Sequence, residues 1–309
     1  MGIMRGFFLF CSQNKWLRDR ATRYGFVRRA VSRFMPGETV SDALAAAGNL
    51  QEQSIGTVLT FLGENVSDPA EAERVTAHYL DVLRRIGESG LRTEVSVKLT
   101  QLGLDLSPEL CYANVKQIIE QAGAESVVWI DMEASNYVDA TLELYRRARQ
   151  SYPNVGICLQ AYLYRTAKDV ANIIPLGPAI RLVKGAYKEP ANVALSRKKE
   201  VDENYFALSK QMLSGDARAA GLRAAFATHD RNLIQRIIEH ADSMKLGKDS
   251  FEFQMLYGIQ REEQFRLARE GWKSIVLIAY GTFWFPWYMR RLAERPANVL
   301  FVLRNLFAT

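Results

Sequence analysis

Eight short apolar runs, each separated from the next by an amphipathic segment, constrain the fold of this chain more than any other feature. The runs are GTVLTFLG (56–63), EVSVKL (94–99), SVVWIDM (126–132), VGICLQAY (155–162), AIRLVKGAY (179–187), RAAFATHD (223–230), SFEFQML (250–256) and SIVLIAYG (274–281). Runs that are continuously apolar are typical of parallel strands buried on both faces. Eight strand and helix units in succession predict an α/β fold, the (β/α)8 TIM-type barrel.

An open doubly wound sheet is the other arrangement that alternating strands and helices can form, and it usually begins with a glycine-rich turn. No G-x-G-x-x-G pattern opens a helix in this chain. The length of 309 residues, with 48% apolar and 24% charged residues, suits one large globular core. This composition argues against a disordered or fibrous protein.

The residues before the first run predict an N-terminal helical arm over residues 1–50, followed by the barrel over residues 51–309. Apolar side chains recur at helical spacing from Phe7 to Met35, and Pro36-Gly37 interrupts the pattern. A second, short helix is expected after Thr39, with Gly48 as its C-terminal cap.

Basic residues accumulate in this arm, and the whole chain has a net charge of +6. Such a segment is attracted to anionic membrane surfaces, although a solvated face is an equal alternative. The first ten residues lack the basic start and cleavage site of a signal peptide and are too short to span a bilayer, and no later window reaches about 18 uncharged apolar residues. Three irregularly spaced cysteines do not form a disulfide framework. We expect a cytoplasmic protein, with the inner face of the membrane as the alternative.

Polar side chains end most of the apolar runs, and in a barrel these ends form the active site. They are Glu64, Lys98, Asp131, Glu133, Gln160, Arg181, Lys184, Thr228, His229, Asp230 and Gln254, followed by Arg290 and Arg291. Because buried unpaired charge is costly, these groups must be paired, solvated or neutralised by a ligand. The excess of Lys and Arg favours an anionic ligand.

Two strand ends contain features that suit a cofactor. In Lys184-Gly185-Ala186 a cation precedes two small residues, which lets a phosphate-bearing molecule approach the backbone, although a plain turn is the alternative. Arg181 shares that face only if the strand twists or bulges at its end. Thr228 and His229 could hydrogen-bond a cofactor, although a lone histidine is more often structural. With no second His or Cys nearby, no metal site is expected.

The segment WFPWYMRRLAERP predicts a helix after the eighth strand. Four side chains share one of its sides: Trp287, Arg290, Arg291 and Glu294. An arginine pair can clamp a carboxylate bidentately, and the aromatic residues around it suit a small amino-acid site. An ordinary charged surface helix is the alternative.

Nine segments, in this order, resemble those of a known family: FLGENV, SVKLT, WIDMEAS, ICLQAY, IRLVKGAYKEP, VDENY, FATHD, FEFQMLYG and RRLAERPANVLFVLRNL. The chain is similar over nearly its whole length to the proline dehydrogenase family, specifically to its short monofunctional bacterial members. The resemblance implies a barrel that binds FAD non-covalently and whose last helix folds over the substrate.

The resemblance also implies roles for individual residues. Asp131 and Arg181 are the catalytic residues, with Arg181 near the flavin N5. The substrate contacts are Lys98, Tyr187, Leu256, Arg290, Arg291 and Glu294. The flavin contacts are Met132, Gln160, Arg181, Lys184, Gly185, Ala186, Thr228 and His229.

The reaction implied is hydride transfer from a cyclic imino acid, L-proline or a close relative, to FAD. The product would be Δ1-pyrroline-5-carboxylate in the first step of proline catabolism, and the electrons would pass to a quinone. No nucleic-acid partner is implied. Two positions depart from the family pattern, because Trp287 and Leu277 stand where tyrosines are usual. A dehydrogenase of a modified proline, an FAD barrel of the methylenetetrahydrofolate reductase kind and a non-catalytic ligand-binding barrel are the alternatives.

Overall fold

Eight parallel strands close into a barrel in chain order, with β8 pairing with β1. The computed structural model describes residues 31–294, with side chains up to residue 289. The strands are β1 Gly56–Phe61, β2 Thr93–Val97, β3 Val128–Ile130, β4 Val155–Gln160, β5 Ala179–Val183, β6 Arg223–Ala227, β7 Phe251–Leu256 and β8 Lys273–Tyr280. Each lies within or at the edge of one of the eight apolar runs, so the predicted (β/α)8 barrel is confirmed.

Helices cover the outside of the barrel. In the described residues they are α1 Val40–Gln51, α2 Pro69–Ser89, α3 Pro108–Ala122, α4 Val138–Arg149, α5 Thr166–Ile173, α6 Lys198–Met212, α7 Gly215–Ala219, α8 Arg231–Ser243, α9 Arg261–Arg269 and α10 Trp284–Glu294. Local signals set their ends: Asp68 caps α2 by accepting from the Ala70 amide, and Gly90 closes it in a left-handed conformation. Between residues 31 and 294 no helix is both long and apolar enough to cross a membrane.

The first described helix, α1, packs against β1 and β8 on the outer wall of the barrel. A capping box between Thr39 and Asp42 starts it, as expected at that point. The prediction that Gly48 ends it is wrong, because the helix continues to Gln51 and buries Leu50 in the barrel core. The boundary proposed at residue 50 stays a prediction, since residues 1–30 of the arm lie outside the described residues.

A second apolar cluster lies at the C-terminal end of the barrel. Its members are Val31, Phe34, Met35, Leu62, Ile259, Ala279, Trp284, Phe285, Trp287, Tyr288 and Met289. It joins α10 to residues 31–35, and Trp284 donates to Glu38 at 3.0 Å. Gly258 has φ +74, and a Cβ there would lie 1.6 Å from the Arg33 carbonyl oxygen, so only glycine fits this close approach. Helix α10 therefore covers the end at which the sequence places the site.

The barrel interior is only partly apolar. Val58, Trp129, Ala179 and Ala225 form a small apolar cluster inside it. Gly156 of the neighbouring strand leaves space for the Trp129 ring, because a Cβ at this position would lie 2.7 Å from the ring. Charged and polar side chains fill other interior positions, which is unusual because barrel interiors are mostly packed with branched apolar residues.

Candidate active site

Arg181 lies in β5, and its side chain, 2% exposed, points into the barrel. Nη2 donates to Ser96 Oγ at 2.6 Å and to Asp131 Oδ1 at 2.5 Å, and Nη1 is 3.4 Å from Gln254 Oε1. Burial alone would lower the pKa of Arg181, but the Asp131 carboxylate raises it above its ordinary value. The guanidinium is therefore charged inside the barrel.

Asp131 connects Arg181 to a second cation. Lys98 Nζ, at the end of β2, is 3.9 Å from Asp131 Oδ2. Both carboxylate oxygens therefore face positive charge, and one of the two cations is almost fully buried. The three residues come from three different strands, and parallel strands bring them together because all their C-terminal ends lie on the same side.

Glu133 follows Asp131 by two residues and is 3% exposed. Its carboxylate accepts from the Thr100 amide at 3.1 Å and the Thr100 hydroxyl at 2.6 Å. Burial raises the pKa of Glu133 to about 7, helped by the charge of Glu64 and opposed by the Thr100 hydrogen bonds and by Lys98. The sequence marked Glu133 as a strand-end residue but assigned it no role in the site.

Replacing Glu133 by glutamine is expected to remove part of the pH dependence of stability. Between about pH 4.5 and 7 the folded wild type holds a proton at Glu133 that the unfolded chain releases, so its free energy of unfolding falls as pH rises. The fall is about 3 kcal/mol at most and ends near the folded-state pKa.

Urea unfolding at about pH 5 and pH 8 measures this difference. Relative to wild type, the free energy of unfolding of Glu133→Gln should be higher at pH 8 than at pH 5. Glu109→Gln, which changes an exposed carboxylate, should show the same pH dependence as the wild type. Parallel pH profiles for wild type and Glu133→Gln would show that the Glu133 carboxyl does not change its protonation on folding.

Gln160 ends β4 and offers an acceptor to a ligand. Its Nε2 donates to the carbonyl oxygens of Met132 and Glu133, both at 3.2 Å, which fixes the orientation of the amide. Its Oε1 is buried and has no hydrogen-bond partner among the described residues. Because an unsatisfied buried acceptor costs free energy, a ligand N–H that reaches this oxygen would be favoured.

The loop after β5 runs close against the barrel mouth. Gly185 has φ +113, and a Cβ there would lie 2.3 Å from the ring of Tyr162. Only glycine allows the backbone to lie this close to the ring. Further along, Glu189 accepts from the Ser135 amide at 2.8 Å and from its hydroxyl at 2.5 Å. The loop that contains Lys184, Gly185, Ala186 and Tyr187 is thereby anchored to the end of β3.

Lys184 belongs to a separate group of charges, outside the Arg181 network. Its Nζ lies 2.5 Å from Asp202 and 3.1 Å from Asp230, and Lys198 contacts the same two carboxylates. Burial favours a higher pKa for Asp230, but hydrogen bonds from Lys184 and Lys198 lower it to about 2. A pocket of about 390 Å³ adjoins this cluster and is lined by Lys198, Asp202 and Asp230 with neighbouring residues of α6 and α8.

The sequence missed Lys198 and Asp202 as site candidates. Both lie in the segment SRKKEVDENY, whose charge density is typical of a solvated helix end, and VDENY was noted only for the family resemblance. The sequence left open whether Arg181 and Lys184 share a face. The two side chains have different partners, Asp131 for Arg181 and Asp202 with Asp230 for Lys184.

His229 has a structural contact. Its Nε2 accepts from the Leu256 amide at 2.9 Å, which joins the ends of β6 and β7 and places the proton of a neutral ring on Nδ1. The neighbouring Thr228 is buried and its hydroxyl accepts from the Asp230 amide at 3.1 Å. A flavin contact for either residue stays a prediction.

Leu277 lies on the interior side of β8, next to Leu256 in the register of β7 and β8. Tyr280 does not replace the hydroxyl that leucine lacks, because its own hydroxyl is 2.9 Å from His78 of α2, outside the barrel wall. Trp287 and Tyr288 are buried in the second apolar cluster. This side of the mouth is therefore apolar at the positions described.

The carboxylate clamp predicted on the last helix lies partly outside the described residues. The backbone of α10 extends through Arg290 and Arg291 to Glu294 at the C-terminal end of the barrel. The side chains of these three residues are not described, so their contacts stay a prediction.

The family model for proline dehydrogenase matches residues 43–304. The chain is 41% identical to proline dehydrogenase 1 of Bacillus subtilis, covering 98% of this chain and 99% of the relative. It is 37% identical to the proline dehydrogenase of Deinococcus radiodurans over 89% of each.

Among solved structures, proline utilization A from Bdellovibrio bacteriovorus, inactivated by N-propargylglycine, superposes with a TM-score of 0.81 at 23% identity. That match covers 91% of this chain and 34% of the larger protein, and it supports the fold alone. The sequence relatives cover nearly the whole chain, and the family resemblance noted in the sequence is confirmed. This chain belongs to the proline dehydrogenase family.

Proposed function

We propose that this protein oxidises L-proline to Δ1-pyrroline-5-carboxylate with FAD as its hydride acceptor. The observation that carries the proposal is the network of Lys98, Asp131 and the buried Arg181 at the barrel mouth. It provides cations for an anionic substrate and for an anionic reduced flavin. The relatives from Bacillus and Deinococcus are named proline dehydrogenases, which supports the same activity here.

The residues present fit a flavin. Gln160 has a buried acceptor that suits a ring N–H, and Lys184 with Lys198 can bind a diphosphate in place of their carboxylate partners. The other contacts we assign are the Met132 backbone, Gly185, Ala186, Thr228 and His229. Bound FAD would supply the hydride acceptor.

The protein's own task is to hold the imino acid and set its protonation state. Lys98, with Arg290 and Arg291 of α10, would bind the carboxylate, and Glu294 would orient an arginine. Asp131 fixes Arg181, while Tyr187, Leu256 and Leu277 form the wall around the ring. Cations near the substrate nitrogen lower its pKa, which makes the lone pair available as hydride leaves.

A quinone would be the final electron acceptor in this proposal. A quinone dissolved in the membrane would require contact with the bilayer surface, and the basic N-terminal arm is the segment we assign to that contact. A modified proline is the second candidate substrate, favoured by the apolar Leu277 at the barrel mouth.

The cofactor assignment is tested by purifying the protein, releasing its flavin with heat and identifying the flavin by chromatography. We expect non-covalent FAD in the supernatant, because Lys184 and Lys198 provide cations for a diphosphate and Gln160 provides a buried acceptor for a ring N–H. FMN, or a protein that stays colourless after incubation with FAD, would contradict the assignment.

A further inference from the structure

A second set of charges lies inside the barrel, nearer the N-terminal ends of the strands than Arg181. Arg223 of β6 donates to Glu94 of β2 at 2.5 and 3.2 Å and to Glu252 of β7 at 2.9 to 3.1 Å. Glu252 is 3% exposed; burial raises its pKa, and the charge of Arg223 opposes that rise. We call these three residues the barrel-floor triad.

Gln254 connects the floor triad to Arg181. Its Nε2 donates to Glu252 Oε1 at 2.7 Å, and its Oε1 lies 3.4 Å from Arg181 Nη1. A carboxylate only accepts hydrogen bonds, so Glu252 requires the amino group of Gln254 and turns the amide oxygen toward Arg181. The negative charge of Glu252 therefore orients the Gln254 amide so that its oxygen faces Arg181.

Trp129 is the second connection. Its Nε1 donates to Glu94 at 2.7 Å, which fixes the plane of the indole. The guanidinium of Arg223 lies over the ring at 5.3 Å and that of Arg181 at 5.1 Å. An electron-rich ring face attracts a cation, and more strongly in a desolvated interior. The fixed indole is thus a platform for Arg181.

We propose that Gln254 and Trp129 are positioning residues for Arg181, and that the barrel-floor triad sets the orientation of both. Ser96 and Asp131 bind only the Nη2 edge of the guanidinium, whereas Gln254 contacts Nη1 and Trp129 supports the face. The Cys158 thiol, a weak hydrogen-bonding group, is a further partner of Arg181. Without Gln254 and Trp129, the orientation of the guanidinium is therefore less restricted. The effect on catalysis rests on the proposed flavin function, whereas the positioning of Arg181 by Gln254 and Trp129 is independent of it.

The first test compares Gln254→Met, which keeps the side-chain length but removes the amide, with Thr57→Val. Thr57 hydrogen-bonds Thr93 at 2.7 Å in the same barrel and does not contact Arg181, so it controls for the loss of a buried hydrogen bond. In the FAD-loaded protein, Gln254→Met should slow flavin reduction by proline about tenfold, as expected for a lost hydrogen bond to a charged group. The Kd of an unreactive cyclic carboxylate should change less than about twofold.

A second readout needs neither flavin nor turnover. In apoprotein labelled with ¹⁵N-arginine, the guanidinium N–H signals of Arg181, identified by their loss in Arg181→Lys, should exchange slowly with solvent. Gln254→Met should accelerate this exchange and Thr57→Val should not. Should Gln254→Met fail to fold, Trp129→Phe provides the same comparison, since it keeps an aromatic face but removes the bond to Glu94.

Wild-type exchange and wild-type reduction rates in Gln254→Met, or in Trp129→Phe where that variant is used, would overturn the proposal. A wild-type protein that binds no flavin, or whose flavin proline does not reduce, would refute the proposed function. In that case the exchange measurement still decides whether Gln254 and Trp129 position Arg181.

Discussion

Arg181→Met is expected to slow reduction of the bound flavin by proline by a factor of about 100 to 1000. The guanidinium is the most deeply buried cation of the network, and the charge that develops on the flavin would lose its stabilisation there. Methionine fills a similar volume, so the barrel should not collapse. Lys98 is unchanged in the variant, and the affinity for substrate should fall much less than the rate.

The measurement is anaerobic stopped-flow reduction over a range of proline concentrations, which separates the limiting rate from the apparent affinity. Arg147→Met is the matched control, because Arg147 lies on the surface in an ion pair with Glu109. A limiting rate equal to that of wild type in Arg181→Met would reject a catalytic role for this residue.

Arg223→Met is expected to lower the free energy of unfolding by about 3 to 5 kcal/mol. The substitution leaves Glu94 and Glu252 facing each other inside the barrel without their shared cation. Two uncompensated carboxylates repel each other, so protonation of one of them relieves part of the cost. The loss of stability should therefore be larger at neutral pH than at about pH 5.

Urea unfolding of wild type and variant tests this expectation. The control is again Arg147→Met, whose exposed pair should contribute no more than about 1 kcal/mol. A loss below that value in Arg223→Met would show that solvent or a rearranged side chain neutralises the floor carboxylates, and that the triad is not a fixed part of the barrel.

The fold was predictable because a parallel barrel repeats one simple pattern. All eight apolar runs contain a strand, since strands buried on both faces need continuous apolar residues. The end of α1 was not predictable from Gly48. Burial of Leu50 against the barrel outweighs the helix-ending tendency of a single glycine, and a tertiary contact of this kind leaves no local signal.

The site was predictable where it depends on strand ends. Lys98, Asp131 and Arg181 meet because their strands are parallel, although they are far apart in the chain. Asp230, one partner of Lys184, stood among the strand-end residues, but the other partner, Asp202, was not predictable because it lies within a helix, where a carboxylate usually faces solvent. The barrel-floor triad was also missed. A charged residue within a strand can be recognised as buried only when the residue that neutralises it is known, and the sequence does not show that partner.

The proposed activity of this protein is hydride transfer from L-proline to a bound flavin. It is measured by anaerobic addition of L-proline to the FAD-loaded protein, followed by visible absorbance. We expect the absorbance of oxidised flavin to be lost, with Δ1-pyrroline-5-carboxylate formed in an amount equal to the flavin. A flavin that stays oxidised with proline in excess, while dithionite reduces it fully, would show that the protein does not oxidise proline.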